Sequence, residues 1–362
     1  MRRFVRRCHL WLGLSLGLLL VMLGLTGSVL VFYVEIDRWQ HPAQAAAGQA
    51  VPASYDRAIL TLRERFPDKH GPWRLEVTGQ PGAIPARYYN PPETAGRDFA
   101  PLMVWLSPDG SRVLRRDYWG DYAMTWIYDL HYRLQLGPRG GELVGYAGIA
   151  LLALLLSGLW AWWPRGSWTK ALRLRRQAPP VRTLRDWHKL SGLAGLPLLA
   201  VLTVTGVMLA LPDETDAVLA PAFGPPPQLP QPLSRDGSGE QIAPSRAVAV
   251  AARAMPEARL AWIEVPALGN MAFRLRLQQP GEHSRRFPHS YVWIDQHDGD
   301  VLDRFDATRG SAATLIGSWA HPLHDGSAGG AVLRWLLFVA GLVPAVLFVT
   351  GLMRWRLRRL RP

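Results

Sequence analysis

Four apolar segments divide this chain and limit what it can fold into. They lie at residues 10–34, 143–163, 190–211 and 331–353. Each is long enough to cross a hydrocarbon layer of about 30 Å as a helix that rises about 1.5 Å per residue. None contains an acidic residue, and Arg334 is their one basic residue. The sequence therefore predicts an integral membrane protein with four transmembrane helices in contact with membrane lipid.

The positive charge is concentrated in three short segments. The N-terminus, the loop 165–187 and the C-terminal tail hold sixteen basic residues and one acidic residue. The long segments 35–140 and 212–330 hold 23 basic and 26 acidic residues. Because basic flanks mark the cytoplasmic side of a membrane protein, we expect both termini and the short loop inside and the long segments outside. The net charge of +13 then requires no nucleic-acid partner.

An internal repeat relates the two halves of the chain. His9 and His188 are each followed by Gly after four residues and by Thr-Gly after 17 and 18 residues. Leu-His at 130–131 and at 323–324 leads each time through Gly-Gly into the next apolar segment. Both halves enter and leave the membrane in the same sense, so we expect a pseudo-two-fold axis along the membrane normal. This axis places His9 and His188 at one depth and His131 and His324 at another.

The two long segments share a second pattern. Each starts with helical periodicity, at 54–66 and 245–255, and continues with strand-like runs. In each segment the third run turns through Asp-Gly into a fourth, which is a hairpin signal. The pattern predicts two separate outer domains, each with one helix on a small antiparallel sheet. Pro, Gly and Ser residues at 221–239 predict a flexible linker ahead of the second domain.

The predicted fold is a membrane α-helical bundle, with four transmembrane helices in two parallel repeats, that carries two periplasmic α+β domains. The predicted boundaries are 1–40 for the N-terminus and first transmembrane helix, 41–130 for the first periplasmic domain, 131–164 for the second transmembrane helix, 165–187 for the basic cytoplasmic loop, 188–212 for the third transmembrane helix, 213–323 for the linker and second periplasmic domain, and 324–362 for the fourth transmembrane helix and basic cytoplasmic tail.

The four repeat-matched histidines are the candidate functional residues. Ionisable groups inside a membrane are costly and usually mark function. Two imidazoles that face each other across an axis can supply the two axial ligands of a low-spin electron-transfer haem. Small residues on the same helix faces leave room for the flat macrocycle or for close helix packing. These residues are Gly13, Gly17, Gly192 and Gly195. Two haem levels near opposite faces form a path for electrons across the membrane.

His321 leaves the outer site open to more than one interpretation. It lies one helical turn before His324, so the two residues could form a small metal site. It has no counterpart in the first half, whereas the Leu-His pairs align. The alignment favours His324 as the partner of His131 and leaves His321 as the alternate ligand.

The source of electrons must lie outside this chain. Neither a dinucleotide-binding G-x-G-x-x-G after a strand nor a P-loop occurs. The loop 165–187 is too short to fold a flavin or nicotinamide domain. We therefore expect a membrane quinol or a separate soluble reductase as the electron donor.

The whole chain resembles the PepSY-associated transmembrane family of bacterial inner-membrane proteins. The resemblance is carried by His9 with Thr26-Gly27, by Asp129-Leu130-His131, by the ending at 158–164, by Asp186-Trp187-His188 and by the motif at 323–330. It implies PepSY-like outer domains and b-type haem among the four spans. Carried over to this sequence, the haem ligands that the resemblance implies are His9, His131, His188 and His324.

Members of that family include iron-regulated proteins and ferrisiderophore reductases. The resemblance therefore implies an oxidoreductase that passes electrons to a periplasmic ferric siderophore, or a similar metal chelate, and releases Fe(II) for iron uptake. Two other functions stay open at this point. One is a non-enzymatic, membrane-anchored module that binds peptides or proteases, and the other is a permease for an iron chelate.

Overall fold

The computed structural model describes residues 1–164, 166–174, 178–235, 240–267 and 269–359. Parts of three predicted segments lie outside these ranges. They are Arg165, Arg175 and Arg176 of the basic loop, Arg361 of the tail, and residues 236–239 at the end of the linker.

The described part of the chain contains eleven α-helices and eight β-strands. The helices are α1 (Arg2–Leu30), α2 (Tyr33–Gln40), α3 (Pro52–Arg65), α4 (Ala123–Arg133), α5 (Gly137–Trp162), α6 (Trp168–Leu172), α7 (Pro180–Ala210), α8 (Pro212–Phe223), α9 (Pro244–Ala254), α10 (Ala312–His324) and α11 (Gly330–Arg359). The strands are β1 (Trp73–Glu76), β2 (Ile84–Tyr88), β3 (Leu102–Leu106), β4 (Val113–Tyr118), β5 (Arg259–Val265), β6 (Phe273–Gln278), β7 (Ser290–Ile294) and β8 (Val301–Phe305).

The chain divides into two compact units. The helical unit comprises Met1–Tyr33, Ile127–Thr215 and Leu323–Pro362. The sheet unit comprises Val34–Trp126 and Asp216–Pro322. Each unit is therefore built from both halves of the sequence.

Four helices of the helical unit are long and apolar enough to cross a membrane, namely α1, α5, α7 and α11. This finding confirms the predicted number of spans. Helix α1 packs against α5 and α11, and α7 packs against the same two helices. Small residues bring α1 and α11 together, because a Cβ added at Gly24 would lie 2.4 Å from the carbonyl oxygen of Gly341. Nearby, Ser28 Oγ donates to the carbonyl oxygen of Phe338 at 2.8 Å.

The second and fourth spans begin later than the sequence predicts. His131 lies on α4, and Leu134 and Gln135 adopt left-handed φ values of 53° and 58° before α5 begins at Gly137. The left-handed residues end α4, and Pro138 suits the first turn of the new helix. His324 likewise ends α10, and Gly326 turns the chain at φ 80° before α11. The boundaries predicted at 131 and 324 do not coincide with helix starts, because His131 lies two residues before the end of α4 and His324 is the last residue of α10.

The sheet unit contains one antiparallel sheet of eight strands. The strand order is β4-β3-β2-β1-β5-β6-β7-β8. Each half supplies a helix followed by four strands, as predicted, with α3 before β1–β4 and α9 before β5–β8. The prediction of two separate domains is corrected, because β1 pairs with β5 from Trp73↔Val265 to Glu76↔Trp262. These strands would be the inner edges of two small sheets, and their pairing satisfies backbone groups that an edge leaves open.

One face of this sheet forms the hydrophobic core with α3 and α9. Alternate strand residues point into it, including Leu75, Val104, Ile263 and Leu275, all of which are fully buried. The two predicted hairpin turns are present, with Gly110 and Gly299 at left-handed φ values of 81° and 83°. The other face carries arginine and aromatic side chains in place of aliphatic ones.

Candidate functional site

The four candidate histidines form two close pairs within the helical unit. The rings of His9 on α1 and His188 on α7 lie with their centroids 6.2 Å apart. The rings of His131 on α4 and His324 on α10 also lie 6.2 Å apart. The structure thus brings together the residues that the repeat matches, one from each half in both pairs.

A hydroxyl group from a membrane helix holds Nδ1 of each histidine. The contacts are His9 with Ser157 at 2.9 Å, His131 with Thr26 at 3.0 Å, His188 with Thr350 at 3.1 Å, and His324 with Thr205 at 3.0 Å. Each hydroxyl also contacts a carbonyl oxygen of its own helix. For example, Thr26 Oγ1 donates to Met22 at 2.8 Å and Thr205 Oγ1 donates to Val201 at 2.7 Å.

This arrangement decides which ring nitrogen can bind a metal. Since the hydroxyl hydrogen is used on the helix carbonyl, the hydroxyl oxygen accepts from a protonated Nδ1. The imidazole is then neutral with its lone pair on Nε2, which is the tautomer that ligates a metal through Nε2. A hydrogen bond on the second nitrogen fixes ring orientation in most metal-binding histidines.

A glycine follows each of these hydroxyl residues and packs against the histidine ring. A Cβ added at Gly27, Gly158 or Gly206 would lie 3.0, 3.1 or 3.1 Å from Cε1 of its histidine, and one at Gly351 would lie 3.5 Å away. Every apolar span thus carries a Ser-Gly or Thr-Gly dipeptide that seats one imidazole. Two of these dipeptides, Thr26-Gly27 and Thr205-Gly206, mark the repeat in the sequence, and their contact with the imidazoles becomes visible only in the structure. Ser157 and Thr350 are identified only by the structure, although the recurrence of the dipeptide in all four spans was available as a signal.

The spacing within each pair suits two ligands on one metal ion. Two metal–nitrogen bonds of about 2.0 Å, with about 1.1 Å from each Nε2 to its ring centroid, place the centroids about 6.2 Å apart. Both pairs have this separation. This centroid spacing would allow the two imidazoles of each pair to bind one iron between them, which is the ligand set of a bis-histidine haem.

A cavity of about 850 Å³ adjoins His9 and His188. This volume lies within the range of about 300–1,000 Å³ that is typical of small-molecule sites. Gly13, Gly17 and Gly192 line it, and an added Cβ at Gly13 or Gly192 would make only ordinary contacts, as expected for residues that leave space beside the histidines. Gly17 and Gly195 also serve close helix packing, because an added Cβ would clash with the ring of Phe348 at Gly17 and would lie 3.0 Å from Val343 at Gly195.

The cavity is strongly positive. Its lining includes nine basic residues and Asp186, which is itself bound by Arg185 at 3.4 Å and Lys189 at 3.3 Å. The Nε atoms of Arg182 and Arg354 are buried without a hydrogen-bond partner among the described residues. Buried charged donors are costly unless paired, so these two arginines point to an anionic group in the cavity. Haem propionates have the required charge.

The ring of His321 stacks on Phe287 within the sheet unit, with centroids 4.5 Å apart and an angle of 23° between the rings. His324 is the residue that faces His131. Within the described ranges, no group of three His, Cys, Asp or Glu side chains is arranged to hold a metal ion. The ring contacts thus favour His324 over His321 as the partner of His131.

Comparison with known proteins identifies the family of this chain. The model of the PepSY-associated TM region matches residues 6–358. The chain is also 30% identical over 257 residues to the uncharacterized protein PA4219 of Pseudomonas aeruginosa, which covers 66% of this chain and 64% of that protein. The chain thus spans slightly less than two thirds of this relative. Because the family match extends over nearly the whole length, the chain belongs to the PepSY-associated transmembrane family.

Proposed function

We propose that this protein transfers electrons across a membrane through two b-type haems, each held between two histidines. His9 and His188 ligate one haem, and His131 and His324 ligate the other. The observation that carries the proposal is the pair of 6.2 Å histidine contacts with every Nδ1 held by a hydroxyl.

The protein side chains would bind and orient these groups. Haem iron supplies reversible one-electron transfer when it is bound. The hydroxyl groups set the orientation of the imidazoles and raise their basicity as ligands. Arg182 and Arg354 neutralise propionate charge beside the inner pair. The apolar helices around the sites exclude water, which influences the redox potential.

We further propose the direction and the reaction. The chain lies in the bacterial inner membrane with both termini in the cytoplasm, since the termini and the loop between α5 and α7 carry the basic residues. Electrons pass from a membrane quinol or a soluble reductase to a ferric siderophore or similar chelate in the periplasm. One quinol oxidised to quinone reduces two ferric ions and releases two protons. Fe(II) then leaves the chelate for uptake.

The family membership supports the architecture more directly than the substrate. The named relative is uncharacterized and so supplies no reaction. The similar order of elements in both halves supports a duplicated gene product with parallel repeats. The proposal of an oxidoreductase therefore rests on the histidine geometry, and that of an iron chelate rests on the resemblance to ferrisiderophore reductases.

Vesicles provide a direct test. Purified protein is reconstituted into vesicles that enclose a membrane-impermeant reductant, and a ferric chelate with a chromogenic Fe(II) trap is added outside. Wild-type protein should produce the Fe(II) complex outside, and His188→Ala should not. His70→Ala removes an exposed histidine in the sheet unit and serves as the control. Iron that accumulates inside without external Fe(II) would indicate a permease, and neither signal would indicate a membrane-anchored module.

A further inference from the structure

A row of arginines crosses the centre of the sheet on the face opposite α3 and α9. Arg87 on β2 lies directly opposite Arg74 on β1. Arg74 lies opposite Glu264 on β5, which in turn lies opposite Arg274 on β6. Like charges directly opposite each other on adjacent strands are destabilising, so the Arg74–Arg87 pair needs a reason.

The acidic neighbours are used by other arginines. Glu264 Oε2 accepts from Arg274 at 2.7 Å, and Glu76 forms an ion pair with Arg286 at 3.1 Å. Arg74 donates only to the neutral hydroxyl of Tyr89, at 3.1 Å. Among the described residues, Arg74 and Arg87 form no ion pair, and the Nε atom of each is buried without a hydrogen-bond partner. Two positive charges at the middle of the sheet thus lack a counter-ion.

An aromatic ring holds both guanidinium groups in place. The Cζ atoms of Arg74 and Arg87 lie 4.6 and 5.0 Å from the ring centroid of Trp262. Trp262 is itself buried and fixed, since its Nε1 donates to the carbonyl oxygen of Arg286 at 2.6 Å. Guanidinium groups stacked on an aromatic ring keep their in-plane donors available for oxygen anions. Pre-positioned donors lose little entropy on binding.

The row remains accessible to a ligand. The side chain of Arg274 is 37% exposed, and Arg74 and Arg87 are partly exposed. Several arginines close together favour a ligand with more than one oxygen anion, because each guanidinium can bind a carboxylate through two parallel hydrogen bonds.

We propose that this arginine row, Arg74, Arg87 and Arg274, binds a compact polyanion that carries two or more carboxylate or catecholate groups. The identification of that polyanion as an acidic ferric chelate rests on the proposed function. The site then selects acidic chelates over neutral hydroxamate chelates of iron. Binding itself is a property of the sheet unit and does not require haem.

The test uses the full-length protein in detergent and measures binding by calorimetric titration. The probes are ferric citrate and a neutral ferric trihydroxamate chelate. We expect ferric citrate to bind more tightly than the neutral chelate, and its affinity to fall as salt is raised. Arg87→Gln should lower the affinity for ferric citrate at least about tenfold, as expected for loss of a charge-assisted hydrogen bond. Arg253→Gln, which removes the same charge from an exposed site on α9, should leave the affinity unchanged.

Thermal unfolding separates binding from a structural role. Without ligand, Arg87→Gln should unfold at the same or a higher temperature, because it relieves the repulsion from Arg74. A lower unfolding temperature with unchanged affinity for ferric citrate would overturn the proposal, as would equal effects of Arg87→Gln and Arg253→Gln. Ferric citrate binding by protein that shows no Soret band, and gains none after haemin is added, would support the anion site while contradicting the proposed electron transfer, so the two failures are distinguishable.

Discussion

The glycines beside the histidine rings allow a matched test of the inner site. In Gly158→Ala, the added Cβ would lie 3.1 Å from Cε1 of His9. Carbon atoms pack at about 3.5–4.0 Å, so the ring must move by about 0.4 Å, which is about twice the ±0.2 Å tolerated in metal–ligand distances. We expect haem affinity to fall about 10- to 100-fold, as for other changes that disturb a ligand's supporting contacts.

Gly351→Ala is the control for this change. It introduces the same methyl group beside the other ligand of the same pair, but at 3.5 Å from Cε1 of His188. That distance is an ordinary contact, so haem affinity should stay within about twofold of wild type. The assay is a haemin titration of haem-depleted protein, followed in the Soret region, with thermal unfolding as a check on the bundle. Equal losses in both variants, or no loss in Gly158→Ala, would refute the reasoning.

Three further predictions address other parts of the account. His9→Ala and His188→Ala should each abolish the same haem absorbance and leave the second haem intact; equal loss of both would contradict the pairing. Arg354→Gln should weaken haem binding about tenfold, with partial recovery in Arg354→Lys because the charge returns; unchanged binding in the glutamine variant would remove this residue as a propionate partner. Burial, with smaller effects from Arg276 and His321, lowers the pKa of His289 from 6.5 to about 4. The unfolded state therefore binds the proton more tightly, and stability present above pH 6.5 should fall by at most about 3 kcal/mol as the pH drops to 4. Thermal unfolding should show this slope, and His289→Gln should flatten it; an unchanged slope would contradict the assignment.

Much of the bundle was predictable because its signals are local or repeated. Apolar length identified the four spans, and the matched His and Thr-Gly spacings indicated which histidines face each other. Leu-His alignment also singled out His324 over His321. These inferences need only periodicity and the sense in which each half crosses the membrane.

The helix ends at the outer histidines were harder to predict. The break between α4 and α5 depends on left-handed conformations at Leu134 and Gln135, which are unusual for residues with side chains. The boundary predicted at 131 places His131 in the second transmembrane segment, although the apolar run itself starts at residue 143.

The single sheet and the cation clusters depend on contacts between distant parts of the chain. The pairing of β1 with β5 joins residues almost 190 positions apart, and no local pattern specifies an edge-to-edge partner. The same pairing assembles the arginine row from both halves. Arg182 on α7 and Arg354 on α11 likewise line one cavity from different helices. That their Nε atoms are both buried without a hydrogen-bond partner among the described residues is therefore visible only in three dimensions.

The central claim is that each histidine pair holds one haem. The most direct measurement is a reduced-minus-oxidised absorbance spectrum of the purified protein, combined with haem quantified per chain. We expect two low-spin b-type haems per chain. Protein with no Soret band, and none gained after haemin is added, would contradict it.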